Sequence, residues 1–597
     1  MEPILKIKAR ISALRALMLK NKLDAYLITG TDPHLSEYTP DEWKTREWIT
    51  GFTGSYGKVL VTLDKVMLWT DTRYFIQALE ELDGTGILLM KERIPFAVSM
   101  DEWIITHMKT GDKVAANGLT ISAADADLIT SKLAAKGISF SLDTDLVGEI
   151  WSDRPPSGNS MLFEHPIRFA GKSRTEKIEI VRKVLNSRES DATVISLLDD
   201  VAWLFNLRSN EILYTPLFRA YGYIDLHNAC LFVDSDRLTS ADRKNLLKDG
   251  IQVLPYDSFI NFLCRITSKS ILIDPVRTNS SAIRQISDSN NLEYTVSVIA
   301  QFKAVKDQTE IRRIKSAHLK DGVAMVSALH HIMDARGKEK LTEVEVGQIF
   351  HNYRSKQPLF MGDSFHPIVG FGSHGAVVHY HATEQTNRAI EGNNLLLVDS
   401  GGQYLDGTTD ITRTIVFGGA PTKKQKTDFT TCLKGHIALA KAIFPAETRG
   451  YSLDPISRKP LWDKGINYGH GTGHGIGYFL SVHEGPMSIR AEFNNEPIRE
   501  GNLMSNEPGI YRDGEYGIRI ENVILCKKHS STDFGQYLCF ETISLCPIDR
   551  KLILKGLLSK DELKWLNDYH KLVFKKIGPF ISDKKVLKWL VKQCKTL

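Results

Sequence analysis

The hydrophobic pattern of the N-terminal region changes from helical to extended spacing. Residues 4–23 carry apolar side chains at helical spacing, and an apolar run over 24–29 follows them directly. Two more apolar runs, 58–62 and 65–70, are joined by a short turn and predict adjacent strands. Asp71 then stands where a helix cap is expected. The region therefore predicts an α/β domain.

A similar order of elements returns further along the chain. Helical spacing over 176–186 leads to an extended run over 191–195, and a strand is predicted over 229–233. An Asp-Ala pair enters the first strand of each copy, as Asp24-Ala25 and as Asp191-Ala192, 167 residues apart. We interpret the two regions as related α/β domains in tandem.

Two breaks in the pattern predict the domain boundaries. Residues 152–159 form a polar run rich in proline, serine and glycine, and a second change lies near residues 300–306. A long amphipathic helix is predicted over 308–333, ahead of a region rich in glycine, histidine and acids. The predicted domains are 1–155, 156–302 and 303–597, the last ending in a helical extension from about residue 535.

Composition places the chain among soluble globular proteins. It has 597 residues, 42% hydrophobic and 25% charged, which is too long for a single core. The net charge of +5 gives no reason to expect a nucleic-acid partner. The last 47 residues hold 12 lysines against 4 acids, which we interpret as a solvated helical face.

Cysteine usage and hydropathy predict the compartment. The seven cysteines are scattered and include no CxxC pair, which argues against a disulfide framework and against a thiolate zinc site. No signal-peptide pattern is found, and no run approaches the ~20 apolar residues that span a bilayer. We expect a cytoplasmic protein without a membrane segment.

The stretch GINYGHGTGHGIGYFLSVHEGP, residues 465–486, concentrates glycine and histidine. Each glycine disfavours a helix by about 1 kcal/mol relative to alanine, so the stretch predicts a loop or strand. The glycines allow the backbone and three imidazoles, His470, His474 and His483, to approach one centre closely. At this stage the centre is a metal, a substrate or both.

Two acid-bearing segments lie on either side of this stretch. Asp399 ends an apolar strand and Asp410 enters the next one, so a hairpin would place them side by side. Glu507 and Glu521 flank a second turn-rich segment in the same way. Paired carboxylates repel each other unless a cation compensates them. We therefore predict a metal site with the ligands Asp399, Asp410, His474, Glu507 and Glu521.

The predicted ligand set favours particular metals. Four carboxylates and one imidazole, without sulfur, suit Mn²⁺, Co²⁺ or carboxylate-bound Zn²⁺ better than they suit a thiolate-type zinc site. So many carboxylates favour two ions that share bridging oxygens over a single ion.

Five ordered motifs resemble those of the metal-dependent pita-bread peptidases, and within them the three-domain Xaa-Pro aminopeptidases. The motifs are VDSGGQYLDGTTDITRT, GHGTGHGIG, VHEGP, NEPGIY and GIRIEN. The segments EWKTREWITGFTGS, LWTDTRYFIQALEEL and LLDDVAWLFNLRSNEILYTPLFRAY resemble the family's first two domains. The resemblance implies a pita-bread catalytic domain preceded by two related creatinase-type α/β domains.

The resemblance also implies roles for individual residues. Asp399 and Glu521 would contact both metal ions, and Glu507 would double as the proton shuttle. Arg519, two residues from Glu521, is expected on the same strand, where it would brace the acids. The residues implied to contact substrate, beside Arg519, are Arg73, His379, His470 and His483. With Glu507, the histidines His379 and His483 are the implied catalytic groups.

The function implied is an aminopeptidase that hydrolyses the bond between the first residue and a following proline, by a hydroxide bridging two metals. Prolidase shares the ligands but cleaves dipeptides and has one N-terminal domain, and methionine aminopeptidase lacks these N-terminal domains. A binding protein that has kept the fold without catalysis is the non-enzyme alternative. The resemblance further implies a homodimer, with peptides rather than nucleic acid or membrane as partners.

Overall fold

The computed structural model describes residues 3–384 and 386–597. It divides into two compact units, Met1–Pro166 with Lys172–Ala300 and Ile167–Gly171 with Gln301–Leu597. Within the described ranges, none of the helices has both the length and the apolar character needed to cross a bilayer.

The first half of the first unit alternates strands and helices. Its strands are β1 (Ala25–Ile28), β2 (Lys58–Thr62), β3 (Val66–Thr70), β4 (Leu88–Lys91), β5 (Lys113–Ala116) and β6 (Ser139–Ser141). Its helices are α1 (Ile4–Lys20), α2 (Thr45–Thr50), α3 (Phe75–Glu81), α4 (Met100–His107), α5 (Ala123–Ala134) and α6 (Leu146–Ile150).

The second half of this unit has a similar make-up. Its strands are β7 (Phe163–Glu164), β8 (Ala192–Ile195), β9 (Leu207–Arg208), β10 (Tyr221–Asp225), β11 (Ala229–Phe232), β12 (Ile251–Leu254), β13 (Ser270–Ile273) and β14 (Asn291–Tyr294). Its helices are α8 (Arg174–Ser187), α9 (Leu198–Leu204), α10 (Ser240–Lys248), α11 (Phe259–Leu263) and α12 (Ser280–Arg284), and α13 (Val298–Ala304) follows them.

The two halves of the first unit have the same sheet topology. The strand orders are β4-β3-β2-β1-β5-β6 and β12-β11-β10-β8-β13-β14. In the first sheet, the pairs β3–β2 and β2–β1 are antiparallel and the other three pairs are parallel. In the second sheet, the corresponding pairs β11–β10 and β10–β8 are antiparallel and the other three are parallel. The predicted tandem of related α/β domains is confirmed. Since both sheets lie in one compact unit, the boundary between residues 155 and 156 stays a prediction.

The repeated Asp-Ala pair has the same structural role in both sheets. The Asp24 amide donates to the Lys113 carbonyl (2.9 Å), and its carboxylate accepts the Lys113 amide (2.8 Å). Asp191 makes the same two bonds with Ser270, at 2.8 and 2.7 Å. Each aspartate therefore extends the pairing between its first strand and the neighbouring parallel strand by one step.

Asp71 differs from its predicted role as a helix cap. Helix α3 begins only at Phe75, and the Asp71 carboxylate instead accepts Arg73 Nε (2.9 Å) and Nη2 (2.8 Å). Arg93 Nη1 lies 3.3 Å from the same carboxylate. Charge-assisted bonds from two arginines therefore occupy this buried carboxylate.

The second unit contains the glycine-histidine stretch and the acids. Its helices are α7 (Ile167–Ala170), α14 (Gln308–Ala335), α15 (Glu343–Arg354), α16 (Lys423–Ala440), α17 (Gly450–Trp462), α18 (Lys560–Ile577) and α19 (Lys584–Gln593). Its first strands are β15 (Phe360–Asp363), β16 (Ile368–Phe371), β17 (Asn394–Ser400), β18 (Gly402–Tyr404), β19 (Gly407–Thr408), β20 (Ile411–Phe417) and β21 (Ile443–Pro445). The remaining strands are β22 (Gly473–Gly475), β23 (Glu484–Ile489), β24 (Leu503–Asn506), β25 (Gly509–Arg512), β26 (Tyr516–Arg519), β27 (Asn522–Thr532) and β28 (Gly535–Thr542).

Three sheets of this unit meet at the acids. Their orders are β16-β17-β20, β21-β28-β27-β24-β22-β23 and β25-β26. The C-terminal helices α18 and α19 pack on the core that also contains Phe429 and Ile518. Arg413 joins this core to the acids, because it donates to the Glu521 carbonyl (2.6 Å) and to the Tyr569 hydroxyl (2.9 Å). Helices α18 and α19 thus buttress the strands that carry the acids. The predicted helical extension begins later than about residue 535, because 535–542 form β28, which pairs with β27 in the sheet, and α18 begins only at Lys560.

Candidate metal centre

The two aspartates lie at one end of an antiparallel strand pair. Strands β17 and β20 pair so that Asp399 is opposite Thr412 and Ser400 is opposite Ile411. Asp410 directly precedes β20, which places it beside Asp399. The predicted pairing of these strands is found, and the turn between them contains the small hairpin β18–β19.

The two glutamates flank a second strand pair. Strands β24 and β27 pair with Asn506 opposite Asn522, and Glu507 and Glu521 are the next residues outward from that pair. Between them the chain forms the hairpin β25–β26. Glu521 accepts the Thr412 hydroxyl at 2.7 Å, which joins this pair to the aspartates.

His474 is held by its backbone and by one ring nitrogen. It lies on β22, its amide donates to Ser505 Oγ (3.0 Å), and Nδ1 lies 2.9 Å from the Gly475 carbonyl. A ring that donates from Nδ1 presents the lone pair of Nε2. That Nε2 lies 3.4 Å from Asp410 Oδ2 and 3.5 Å from Glu507 Oε1.

The donor atoms converge closely enough to bind a cation. Asp410, His474 and Glu521 each offer a ligand atom, and these atoms all lie within 4.8 Å of one another. Asp399 Oδ1 is buried and has no hydrogen-bond partner among the described residues. A buried carboxylate oxygen without a partner is unfavourable unless it binds something else.

The pKa shifts of these residues also indicate that the site binds a cation. Burial raises the pKa of Glu507 to about 7, against the lowering effect of His474. Burial also raises the pKa of Asp399 and of Glu521, and the neighbouring Asp410 adds to both shifts. Burial alone would lower the pKa of His474, but Asp410 and Glu507 raise it to about 9. Carboxylates held this close together favour a compensating cation.

These residues fit divalent metal ions. The set offers mostly carboxylate oxygen, one imidazole whose other nitrogen is already hydrogen-bonded, and no thiolate. This combination is typical of carboxylate-bridged sites for Mn²⁺, Co²⁺ or Zn²⁺.

A chain of hydrogen bonds leads from Asp399 to the histidine side of the site. Arg519 Nη2 donates to Asp399 Oδ2 (2.6 Å), and Arg519 Nη1 donates to the Tyr511 hydroxyl (2.8 Å). The Tyr511 hydroxyl in turn lies 2.8 Å from His470 Nε2. His470 Nδ1 lies 2.8 Å from the Gly471 carbonyl, so Nε2 accepts from the tyrosine.

Two details of these hydrogen bonds differ from what the sequence predicts. Arg519 ends β26 and Glu521 precedes β27, so the two residues do not share a strand, and Arg519 pairs with Asp399. Tyr511 received no role from the sequence. The alternation of side chains along the hairpin β25–β26 was the signal that could have placed it next to Arg519.

The other predicted substrate residues are His483, His379 and Arg73. The ring of His483 is 4.3 Å from that of His474, edge-on at 88°. His379 is half-buried and follows a 3-10 turn over Gly372–Ala376. Arg73 lies in the first unit, where Asp71 holds its guanidinium and its side chain is 20% exposed.

Family models match nearly the whole chain. The model of metallopeptidase family M24 matches residues 312–528, and the C-terminal region of that family matches 536–597. Two models of the creatinase/prolidase N-terminal domain match residues 10–146 and 153–310. The pita-bread catalytic domain and its two creatinase-type domains are therefore confirmed.

Individual relatives resemble the chain over most or all of its length. A probable Xaa-Pro aminopeptidase P of Laccaria bicolor is 36% identical over 98% of this chain and 93% of its own length. The X-prolyl aminopeptidase of Caenorhabditis elegans, described as a cytosolic enzyme with a di-nuclear active site, superposes with a TM-score of 0.95 and 31% identity over all of both chains. An Xaa-Pro dipeptidase of Bacillus anthracis, with a TM-score of 0.50 and 23% identity, shares the fold over 63% of this chain and 99% of its own. The chain belongs to the Xaa-Pro aminopeptidase P family, whose catalytic domain is that of the M24 metallopeptidases.

Proposed function

We propose that this metallo-exopeptidase removes the first residue of peptides whose second residue is proline, at a centre of two divalent ions. One observation carries the proposal: Asp410, His474 and Glu521 offer ligand atoms within 4.8 Å of one another. Asp399, whose Oδ1 has no hydrogen-bond partner within the described ranges, and Glu507, 3.5 Å from His474, complete the proposed ligand set. The full-length similarity to Xaa-Pro aminopeptidases supports the choice of substrate.

The metal ions and the protein side chains would have separate roles in the reaction. Two divalent ions bound here would supply Lewis acidity for the scissile carbonyl and for a water nucleophile. Glu507, whose Oε1 lies 3.5 Å from His474 Nε2, is the proposed proton carrier: it would take a proton from the attacking water and pass it on. The proton goes to the prolyl nitrogen, the leaving group, which becomes the new N-terminal amine.

The histidines act on the substrate side. His483 lies against His474 and would donate a hydrogen bond to the developing oxyanion, an interaction worth roughly 3–4 kcal/mol. Since proline has no backbone N–H, selectivity for it depends on the shape of the pocket. His379 and His470 are proposed as walls of that pocket, with His470 held by Tyr511. Arg73 is proposed to contact the peptide, and Arg519 orients Asp399 and Tyr511.

Manganese is the proposed metal, because four of the five donors are carboxylates. A cytosolic location agrees with the free state of all seven cysteines and with the description of the C. elegans enzyme. A homodimer is proposed from the family resemblance alone, and light scattering on the purified chain would test it.

A panel of peptides tests the function. The purified protein is incubated with an Xaa-Pro-Xaa tripeptide, an Xaa-Pro dipeptide and a Met-Ala peptide, each with Mn²⁺ and with EDTA. We expect rapid hydrolysis of the tripeptide that Mn²⁺ supports and EDTA abolishes. Turnover of the dipeptide alone would instead identify a prolidase, and turnover of the Met-Ala peptide alone a methionine aminopeptidase. A protein that binds Mn²⁺ but cleaves none of the three would be a binding protein.

A further inference from the structure

Glu343 is a buried carboxylate that none of the roles above uses. It is the first residue of α15 and is 0% exposed. An ionised carboxylate removed from water is strongly unfavourable unless donors surround it. The N-terminus of a helix offers a favourable field for a negative charge, but it does not replace those donors.

Four donors from one segment surround Glu343. Its Oε1 accepts the Phe371 amide (2.8 Å), and both oxygens lie within 3.0 Å of His374 Nδ1. Its Oε2 accepts the Tyr380 hydroxyl (2.9 Å) and the Arg388 amide (3.1 Å). Both oxygens are therefore occupied, which leaves Glu343 no capacity for a metal ion.

One donor is on Phe371, and the other three are on the segment that follows it. We call residues 372–384 and 386–389 the His379 loop; it leaves β16 at Phe371 and returns to α15. On its return the Arg388 carbonyl accepts the Glu343 amide (3.0 Å), and Asn387 Oδ1 accepts the Val344 amide (3.2 Å). Glu343 thus binds Phe371, the residue before the loop, together with the interior and the end of the loop.

The loop also contacts the strands that carry the metal ligands. Tyr380, the residue after His379, packs against Ile368 and Leu397, and Ile368 is opposite Asp399 in the β16–β17 pair. Gly375 lies so close to β26 that a Cβ at Gly517 would be 1.6 Å from the Gly375 carbonyl oxygen. The position of His379 relative to the acids therefore depends on how the His379 loop is held.

We infer that Glu343 is a positioning residue for the reaction, which acts by fixing the His379 loop so that His379 meets the peptide. The inference rests on the proposed function, since it assumes that His379 contacts substrate. Glu343 does not touch the substrate or the metal ions in this proposal. Its loss would misplace a substrate-binding group and leave the metal site intact.

A double-mutant cycle with Glu343→Gln and His379→Ala tests the inference. Glutamine keeps the volume but replaces one acceptor oxygen by an NH₂ group, which faces the donors of the loop. We expect kcat/KM for an Xaa-Pro-Xaa tripeptide to fall on the order of ten- to a hundredfold. The relative changes in kcat and in KM should match those of His379→Ala. The double variant should have the same kcat/KM as His379→Ala alone.

Glu345→Gln is the matched control, because Glu345 is exposed, lies in the same helical turn and forms the capping box with Thr342, away from the donors that surround Glu343. It should change kcat/KM less than about twofold. Manganese content should be the same in all variants. Hydrogen exchange should speed up in the His379 loop of Glu343→Gln and remain unchanged in β17 and β20.

Tyr380→Phe keeps the experiment decisive if Glu343→Gln does not fold. It removes only one of the four donors and should lower kcat/KM in the same pattern by a smaller factor. Additive losses in the cycle, loss of metal, or wild-type kinetics in both Glu343→Gln and Tyr380→Phe would overturn the inference. Absence of tripeptide turnover by the wild-type enzyme would instead refute the proposed function.

Discussion

Arg519 and Asp399 form a buried ion pair that leaves only one oxygen of the carboxylate for a metal. Arg519 Nη2 donates to Oδ2 at 2.6 Å, while Oδ1 has no hydrogen-bond partner among the described residues. Burial raises the pKa of Asp399, and the arginine opposes that shift because it stabilises the ionised carboxylate. It also fixes which oxygen faces the centre.

Removal of this ion pair should weaken metal binding. Arg519→Ala is expected to reduce Mn²⁺ affinity about 10- to 100-fold, as is typical for partners of metal ligands. Arg519→Lys should recover only part of the loss, because an ammonium cannot reproduce the planar fork. Titration calorimetry with Mn²⁺ measures both. Arg512→Ala is the control: Arg512 lies on the same hairpin but pairs with Asp428, at 2.9 and 3.1 Å. Equal affinity in Arg519→Ala and wild type would contradict this role.

Asp410 should be indispensable for both metal and activity. Asp410→Ala removes one of three donors that lie within 4.8 Å of one another, so we expect loss of bound Mn²⁺ and a fall in kcat/KM on the order of a thousandfold or more. Metal analysis after dialysis and the tripeptide assay measure the two effects. Asp406→Asn is the comparison, since Asp406 lies in the same turn but pairs with Lys320 (2.6 Å). A fully active Asp410→Ala protein would refute the ligand set.

Much of the centre could be predicted because its residues come in local patterns. An apolar strand that ends in an acid, a glycine turn and a second acid can form few structures, and the pairing of Asp399 with Thr412 is one of them. The tandem domains could be predicted in the same way, from an Asp-Ala pair whose aspartate extends the same strand pairing in both copies.

The parts that could not be predicted depend on contacts between segments distant in sequence. Glu343 looks like any acid in the first turn of a helix, and only the fold brings Phe371 and Arg388 onto its carboxylate. The partner of Arg519 lies 120 residues away, on another sheet. Asp71 is a residue type that often caps helices, but its carboxylate accepts a hydrogen bond from the Arg73 side chain, two residues later.

His570 should make stability depend on pH. It is fully buried in α18, and its Nε2 accepts the Ile548 amide at 3.1 Å, which requires the neutral ring. Burial, with added repulsion from Arg413 and Arg550, lowers its pKa from 6.5 to about 3. The unfolded chain therefore binds one more proton between these values, so stability is full above about pH 6.5 and decreases as pH falls toward 3.

A variant isolates this contribution. His570→Gln keeps an acceptor for the Ile548 amide but cannot titrate, so its free energy of unfolding should fall less steeply with pH than that of wild type. The difference in slope should approach about 1.4 kcal/mol per pH unit below pH 6. Urea unfolding in EDTA across pH 4.5–7.5 measures it. His529→Gln, at an exposed site on β27, should show the wild-type slope; identical slopes for His570→Gln and wild type would contradict the assignment.

Glu484, the residue after His483, should be critical for stability. Its side chain and those of Lys303 and Lys306 are fully buried; Lys306 Nζ hydrogen-bonds to it, and Lys303 Nζ lies 3.6 Å from it. Glu484→Gln removes the negative charge that compensates two buried ammonium groups, so we expect a loss of about 3–5 kcal/mol. Chemical unfolding of the metal-free protein measures it. Glu496→Gln removes a more exposed partner, 3.5 Å from Arg499, and should change stability by less than about 1 kcal/mol. Similar losses in the two variants would show that the buried lysines do not depend on Glu484.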